Sequence, residues 1–326
     1  MSSKKKTQSI SAEKLKNFLE TMLIIRRFEE RAAQAYGLRK IGGFLHLYIG
    51  QEAVAVGAIG ALDLKKDYVV TAYRDHGHAI ACGIDPDSLM AELYGKATGC
   101  SKGKGGSMHF FSAEKHMLGG NGIVGSQIPV ATGVALSVKY KKENGVVLCF
   151  FGDGAIHQGA FHESLNLARI WGLPIVYICE NNQYGMGTDY RRVSSVTDFS
   201  VMGASYGIEG KQLNGMDLLE VYDGVSAVIE KARTGHPGFL DIRTYRYRGH
   251  SMSDPAKYRT KEELESYKQK DPILFVKDYL LKQKAISESG FSELDKNAKQ
   301  VAEQAVQFAE SSPEPQIQSL YEDILA

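Results

Sequence analysis

The segment Val146-Val-Leu-Cys-Phe-Phe151-Gly-Asp153-Gly-Ala155 joins a short apolar run to an acid that lies between two glycines. A continuous apolar run of this length indicates a strand that is buried on both faces of a parallel sheet. A helical pattern follows from 158 to 171, and Gly172-Leu-Pro174 ends it before a second apolar run at 175–179. The sequence therefore predicts a βαβ unit with the acid at the end of its first strand.

The alternation of strand and helix patterns continues after this unit, with a helix around 218–233 and a strand around 239–245. This order predicts an α/β fold, with a mostly parallel sheet and helices on both faces. Nearer the N-terminus, apolar residues at three- and four-residue steps predict an amphipathic helix from 11 to about 36. The glycine-rich stretch 99–125 has no regular period, so we expect a long functional loop there. The expected divisions are a flexible tail (1–10), an α/β domain (11–260) and a helical C-terminal extension (261–326).

Composition and charge narrow the classes of function. The chain of 326 residues has 39 Lys and Arg against 38 Asp and Glu, a formal net charge of +1. This balance gives no electrostatic reason to expect nucleic acid or a membrane as a partner. The start of the chain has neither the apolar core of a signal peptide nor an Arg-rich transit helix. We therefore expect a cytoplasmic protein, and a mitochondrial matrix location is disfavoured.

Polar residues follow both strands of the predicted βαβ unit: Asp153 comes after the first strand, and Asn181-Asn182 after the second. The carboxyl ends of parallel strands lie at one edge of the sheet, where ligands bind in open α/β folds. A carboxylate and an amide oxygen suit Mg²⁺, which takes its remaining ligands from water and phosphates. The glycines beside Asp153 would let a diphosphate approach backbone N–H groups. Singly, each motif is as well explained by a turn or a helix cap, but together they predict a diphosphate bound through Mg²⁺.

The order of Gly152-Asp153-Gly154 and Asn181-Asn182 resembles the cofactor motif of enzymes that depend on thiamine diphosphate. Between about residues 15 and 280, further segments resemble one family of such enzymes, the α subunits of the decarboxylating component of the pyruvate dehydrogenase complex. These segments are His46-Leu-Tyr-Ile-Gly-Gln-Glu-Ala53, Thr71-Ala-Tyr-Arg-Asp-His-Gly77, Gly105-Gly-Ser-Met-His109, Gly119-Gly-Asn-Gly-Ile-Val-Gly125, Tyr184-Gly-Met-Gly-Thr188 and Tyr247-Arg-Gly-His-Ser-Met-Ser-Asp-Pro255.

The resemblance implies roles for individual residues of this sequence. The implied Mg²⁺ ligands are Asp153, the side chain of Asn182 and the backbone carbonyl of Tyr184. The implied contacts of the diphosphate are the backbone of Gly154 and Ala155 and the side chains of Tyr73 and Arg74. The implied contacts of the aminopyrimidine ring are the backbone of Gly122 and Val124. The implied active-site histidines, which would face the thiazolium ring and the substrate, are His46 and His250.

The resemblance also implies a reaction. The cofactor would attack the keto carbon of pyruvate and take up electrons as CO₂ leaves. The acetyl unit would then pass to the lipoyl domain of a dihydrolipoyl acyltransferase. A histidine with a pKa near neutrality can move protons in such a reaction, and His250 is the first candidate. Phosphorylation of Ser251, which regulates animal relatives, is not expected in this chain, because its short N-terminus resembles bacterial members.

The length of the chain implies a partner. It has room for the diphosphate-binding domain but not for the second domain that such cofactors need, so the carboxylate that activates the aminopyrimidine ring should come from a β subunit. An α₂β₂ heterotetramer is therefore expected. Glu52, the acid in Gly-Gln-Glu-Ala, is better explained as a residue at a helix terminus.

Three alternatives stay open at this point. An α subunit that acts on acetoin or on branched-chain 2-oxo acids would share most of these motifs. The glycine-rich runs prompt a nucleotide-binding dehydrogenase or ATPase, but the chain has no GxGxxG, and 99–105 is one residue short of a P-loop. A non-catalytic scaffold would leave Asp153, Asn182 and Arg74 without a common role.

Overall fold

Strands form where the sequence has short apolar runs, and they order themselves into one parallel sheet. The computed structural model describes residues 10–324, and within that range its strands are β1 Tyr68–Ala72, β2 Met117–Asn121, β3 Val147–Gly152, β4 Ile175–Asn181, β5 Tyr184–Gly185, β6 Thr188–Asp189, β7 Glu209–Asn214 and β8 Gly238–Arg243. The sheet has the order β2-β1-β3-β4-β8-β7, and every adjoining pair is parallel. β5 and β6 form a separate antiparallel pair.

Helices cover both faces of this sheet. In the described part of the chain they are α1 Ala12–Gly37, α2 Glu52–Ile59, α3 His76–Ala81, α4 Pro86–Leu93, α5 Gln127–Tyr140, α6 Gly159–Trp171, α7 Leu218–Arg233, α8 Lys261–Lys268, α9 Pro272–Lys282 and α10 Glu288–Ser311. Alternate strand residues point to opposite faces: Leu148 and Phe150 join the core under α1, α2 and α7, whereas Cys149 and Phe151 join the core under α5 and α6. The predicted parallel sheet with helices on both faces is confirmed.

The βαβ unit predicted from 146–179 is β3, α6 and β4. β3 and β4 are neighbours, with Gly152 opposite Glu180, so the residues that follow both strands emerge side by side. α6 ends at Trp171 because Gly172 adopts a left-handed conformation, with φ of 55°, which terminates the helix. The predicted strand around 239–245 is β8, which ends at Arg243.

The stretch 99–125 is not a loop throughout, and this corrects the sequence prediction. It contains the edge strand β2 and a 3₁₀ turn, Gly106–Met108. β2 reads Met-Leu-Gly-Gly-Asn, and its two glycines remove the apolar pattern by which strands are recognised. Hydrogen bonding to β1 supplies the order that this local sequence lacks.

The two ends of the described chain pack together. The side chain of Ser11 accepts the N–H of Lys14 at 3.2 Å and so begins the predicted amphipathic helix, α1. The predicted tail lies outside the described residues, except for residue 10. Apolar residues of α9 and α10 join the same core as α1, and Arg27 pairs with Asp295 at 2.6 Å. We therefore propose that 261–326 is an extension of the 11–260 domain and not a separate folding unit. Between residues 10 and 324, no helix combines the length and the apolar character that a membrane span requires.

Candidate active site

Oxygen atoms from two neighbouring strand ends meet at the carboxyl edge of the sheet. Asp153 begins a 3₁₀ turn directly after β3, and Asn182 directly follows β4. Nη1 of the Arg246 guanidinium group donates to Asn182 Oδ1 at 2.9 Å. The same nitrogen donates to the carbonyl oxygen of Tyr184 at 2.6 Å. The structure thus brings together the three residues that the sequence assigns to a metal.

The chemistry of this oxygen cluster fits a divalent cation. The amide of Asn182 is oriented by Gln51, whose Oε1 accepts the Nδ2 group at 3.1 Å, so Oδ1 faces the cluster. Burial raises the pKa of Asp153 to about 6, although the charge of Arg246 opposes this rise. Two of these oxygens, Asn182 Oδ1 and the carbonyl oxygen of Tyr184, already accept from a cationic group, the guanidinium of Arg246. Within residues 10–324 no cluster of three or more His, Cys, Asp or Glu side chains could hold a metal, so this mixed oxygen set is the candidate.

Two small residues leave the backbone beside Asp153 open. Gly154 is exposed, and a Cβ atom built on it would approach nothing closer than the Cα of Gly185, at 3.6 Å. Ala155 is buried in the core beneath the turn. An anion can therefore approach the turn at Gly154, and the diphosphate contacts implied for both residues stay a prediction.

The two histidines that the sequence singles out lie face to edge in a cavity of about 680 Å³. The ring centroids of His46 and His250 are 5.2 Å apart. The ring of Tyr73 lies 4.7 Å from His46 and 5.6 Å from His250. The Nδ1 atoms of both histidines are buried without a hydrogen-bond partner in the described chain, so they are available to a ligand. Gly122 and Val124 line the same cavity.

The electrostatics of the cavity correct one expectation. Burial, followed by the charge of Arg74, lowers the pKa of His250 to about 4 and that of His46 to about 2. Neither imidazole has the near-neutral pKa expected for His250, and both are neutral at pH 7. A neutral imidazole offers one donor and one acceptor, so these side chains are suited to hydrogen bonding with a substrate oxygen.

Arg74 joins the two segments that carry the histidines. Its guanidinium group donates to the carbonyl of Leu47 at 2.7 Å and to the carbonyl of His250 at 2.8 Å. Burial, together with the nearby charge of Arg246, lowers the pKa of Arg74 to about 10, so it is still a cation at neutral pH. Its remaining N–H groups are free to bind an anion, and the diphosphate contact implied by the sequence stays a prediction.

The glycine-rich turn that precedes the cavity is held by one buried acid. The carboxylate of Glu92, at the end of α4, accepts the backbone N–H groups of Ser101, Gly103, Gly105 and Gly106 at 2.7–3.0 Å. These N–H groups are the ones that a phosphate would need in a P-loop. Because an internal carboxylate already occupies them, the nucleotide-binding alternative is disfavoured.

Sequence reasoning missed Arg246 and Gln51, which organise the oxygen cluster. Arg246 follows β8, which lies beside β4 with Arg243 opposite Asn181, so the rule of strand ends would have placed it at the same edge. Gln51 precedes α2 and reaches the cluster from another part of the chain. No local pattern marks it.

Comparisons with known proteins found several similar chains. A family model described as "Dehydrogenase E1 component" matches residues 20–318. The pyruvate dehydrogenase E1 component subunit alpha of Rickettsia bellii is 49% identical over 320 residues, 98% of each chain. The protein of the same name from Rhizobium meliloti is 51% identical over 306 residues, 93% of this chain and 88% of its own. That from Porphyra purpurea is 43% identical over 320 residues, 96% of this chain and 93% of its own.

Proposed function

Because this chain belongs to the dehydrogenase E1 component family, we propose that it is the α subunit of a pyruvate dehydrogenase, which decarboxylates pyruvate and transfers the acetyl unit to a lipoyl group. The observation that carries this proposal is the pairing of His46 and His250 in one cavity beside the Asp153 cluster. The relatives' shared name supports pyruvate over acetoin or branched-chain 2-oxo acids.

Thiamine diphosphate and Mg²⁺ are the cofactors that this proposal requires. Asp153, Asn182 and the carbonyl of Tyr184 would hold the metal, which would neutralise the negative charge of the diphosphate. A metal ion would compete with Arg246 for two of these oxygens. The open backbone at Gly154, with Ala155 beside it, and the free N–H groups of Arg74 would hold the diphosphate.

The residues around the cavity set the conditions for decarboxylation. The bound cofactor would supply a nucleophilic carbon and an electron sink for the loss of CO₂. His46 and His250, both neutral, would donate or accept a hydrogen bond at the unpartnered Nδ1 atoms and so orient the substrate. Arg74 keeps a positive charge beside them, which favours an anionic substrate. Burial of these groups limits water and strengthens each of these interactions.

A partner subunit is needed to complete the cavity. Among the described residues that line it, the only carboxylate is that of Asp254, which accepts the N–H of His250 and the hydroxyl of Tyr258 at 2.6 and 2.8 Å. Glu52 is equally engaged, because it begins α2 and pairs with Arg26 at 2.6 Å. We assign the activating carboxylate to a β subunit in an α₂β₂ heterotetramer.

The surface beside the cavity supports this assignment. Ile123, Val124 and Met186 are apolar and exposed, and two of them line the cavity itself, so a subunit that closes the site would also bury them. A lipoyl domain of a dihydrolipoyl acyltransferase is the acceptor that the reaction requires. The bacterial relatives support the cytoplasmic location.

The test is the release of CO₂ from a panel of 2-oxo acids by co-expressed α and β chains. We expect pyruvate to be preferred and the α chain alone to be nearly inactive. Replacing His250 by alanine should leave cofactor retention intact and lower turnover by about 10²- to 10⁴-fold. Equal turnover of a branched-chain 2-oxo acid, or full activity of the α chain alone, would contradict the proposal.

A further inference from the structure

Three buried polar side chains from distant segments form a continuous hydrogen-bonded chain that ends at His46. Glu29 lies in α1, His76 in α3 and Ser107 in the 3₁₀ turn, and each of them is buried. His76 Nδ1 is 3.0 Å from Glu29 Oε1, and His76 Nε2 is 2.9 Å from Ser107 Oγ. The backbone N–H of His46 donates to Ser107 Oγ at 3.1 Å.

The carboxylate partner places a proton on one nitrogen of His76. A carboxylate only accepts hydrogen bonds, so Glu29 requires His76 to carry a proton on Nδ1. With this single proton on the ring, Nε2 is an acceptor, and the hydroxyl of Ser107 donates to it. The oxygen of Ser107 keeps a lone pair for the N–H of His46. All donors therefore point the same way, from His46 towards Glu29, and no bond in the chain conflicts with another.

This hydrogen-bonded chain holds the segment of His46 at two alternate residues. Glu29 Oε1 also accepts the backbone N–H of Tyr48, two residues beyond His46. Between them, the carbonyl of Leu47 accepts from Arg74 at 2.7 Å. The backbone of this segment is thus fixed at three points. The N–H groups of His46 and Tyr48 bind the chain of Glu29, His76 and Ser107, and the carbonyl of Leu47 binds Arg74.

We propose that Glu29, His76 and Ser107 are positioning residues that fix the imidazole of His46 in the cavity, an inference that rests on the proposed function of His46. The Nδ1 atom of the His46 ring has no hydrogen-bond partner in the described chain, so the ring is placed by its packing against Tyr73 and His250 and by the hydrogen bonds of its backbone. A misplacement of about 1 Å at a reacting group can cost about 100-fold in rate.

The order carboxylate, imidazole and hydroxyl is also that of a nucleophilic triad. Ser107 is only 5% exposed, and its oxygen already accepts the N–H of His46. A hydroxyl in this state cannot reach a substrate carbon in the cavity. The geometry therefore assigns a positioning role to Ser107, and no covalent step.

The first test replaces Ser107 by alanine in the co-expressed α and β complex. We expect kcat for pyruvate to fall about 10-fold, which corresponds to about 1.4 kcal/mol, with KM and cofactor retention changed less than about 2-fold, since the lost hydrogen bonds affect the reaction only through the position of His46. Ser164→Ala, at another buried serine in α6, is the matched control and should leave kcat unchanged. An unchanged kcat in Ser107→Ala would overturn the proposal.

Two comparisons separate positioning from general support of the fold. In a His46→Ala background, Ser107→Ala should have less than about a 2-fold further effect, because both changes act through one side chain. A full 10-fold further loss would mean that Ser107 acts elsewhere. Glu29→Gln should retain more activity than Glu29→Ala, because its amide oxygen keeps both accepted bonds and its NH₂ group takes the place of Oε2, which has no partner. Equal losses in the two variants would contradict the inference.

A readout that does not depend on the reaction distinguishes this inference from the proposed function. NMR of ¹⁵N-labelled histidines in the unaltered complex should show a proton on Nδ1 of His76. Backbone hydrogen exchange of the peptide 44–50 should be faster in Ser107→Ala than in the parent. If the parent releases CO₂ from no 2-oxo acid, the proposed function fails while these two measurements still test the inference. An Nδ1 of His76 that carries no proton, or unchanged exchange, would overturn it.

Discussion

Two buried acids, Glu92 and Asp153, differ in their hydrogen bonding: Glu92 is bound by backbone N–H groups, and Asp153 is left available for a ligand. Neither forms an ion pair with a Lys or Arg within residues 10–324. Glu92 accepts four backbone N–H groups from the glycine-rich turn. Asp153 directly follows β3 beside Asn182 and Arg246, and burial raises its pKa to about 6.

The difference lies in how the negative charge is compensated. A carboxylate that accepts several N–H groups is stable as an anion and has little capacity left for a ligand. Glu92 accepts four such groups, so its carboxyl group orders the turn that leads to Ser107 and the cavity. The charge of Asp153 is incompletely compensated, so binding a cation would lower its free energy. Asp153 therefore marks the candidate metal site, and Glu92 supports the turn that leads to the cavity.

The largest expected effect, on cofactor retention, tests Asp153. Asp153→Ala removes the carboxylate from the oxygen cluster, and loss of a direct metal ligand should weaken Mg²⁺-dependent retention of thiamine diphosphate by more than about 100-fold, since even outer-sphere changes cost 10- to 100-fold. The free energy of unfolding without cofactor should fall little, because a poorly compensated charge is removed. Equilibrium dialysis of the αβ complex measures the first quantity and urea unfolding the second. Retention at the parental level would exclude Asp153 as a ligand.

The next effect, on the free energy of unfolding, tests Glu92. Glu92→Gln turns one acceptor into an NH₂ group that faces backbone N–H donors of the turn. We expect the free energy of unfolding to fall by about 2–4 kcal/mol, the cost of leaving one or two buried donors unsatisfied. Urea unfolding measures it, with Glu163→Gln on the exposed face of α6 as the matched control. If Glu92→Gln matches its control in stability and lowers only cofactor binding, then Glu92 is not the structural acid described above.

The sequence predicted the region around Asp153 better than the region around Glu92. The acid after β3 and the amides after β4 are marked by local patterns, and the parallel pairing of neighbouring strands was enough to bring them together. The close approach of His46 and His250 came only from the family resemblance. No periodicity links these two histidines, which lie far apart in the chain. Their segments are joined by the Arg74 side chain, which donates to the backbone carbonyls of Leu47 and His250.

The supporting contacts escaped prediction because they join residues that are far apart in the chain. Glu29 and His76 are separated by 47 positions, and His76 and Ser107 by 31. Each of these residues alone is as typical of an ordinary helix or turn as of a hydrogen-bonded chain. The strand β2 was missed for another reason, since its glycines hide the apolar pattern and its hydrogen bonds come from β1.

A smaller effect concerns the histidines in the pH dependence of stability. Burial lowers the pKa of His250 from 6.5 to about 4. Between these values the unfolded chain binds a proton that the folded chain does not, so the free energy of unfolding should fall as pH drops from about 6.5 to 4. His250→Gln should reduce this slope, and urea midpoints measured at several pH values would show it. A parental slope in His250→Gln would mean that His250 titrates normally.

The smallest effect returns to Asp153 and has the opposite sign. Its pKa is raised from 3.8 to about 6 by burial, so without a metal the folded chain binds more protons than the unfolded chain between these values. Stability from this group is full below pH 3.8 and is lost as pH rises through 6. Asp153→Asn removes the term, so this variant should exceed the parent in free energy of unfolding above pH 6 and approach it near pH 4. Added Mg²⁺ and thiamine diphosphate should reverse the order of the two proteins at pH 7, because only the parent binds them. If Asp153→Asn is the less stable protein above pH 6 without cofactor, the acid is already compensated as Glu92 is, and the contrast between the two regions disappears.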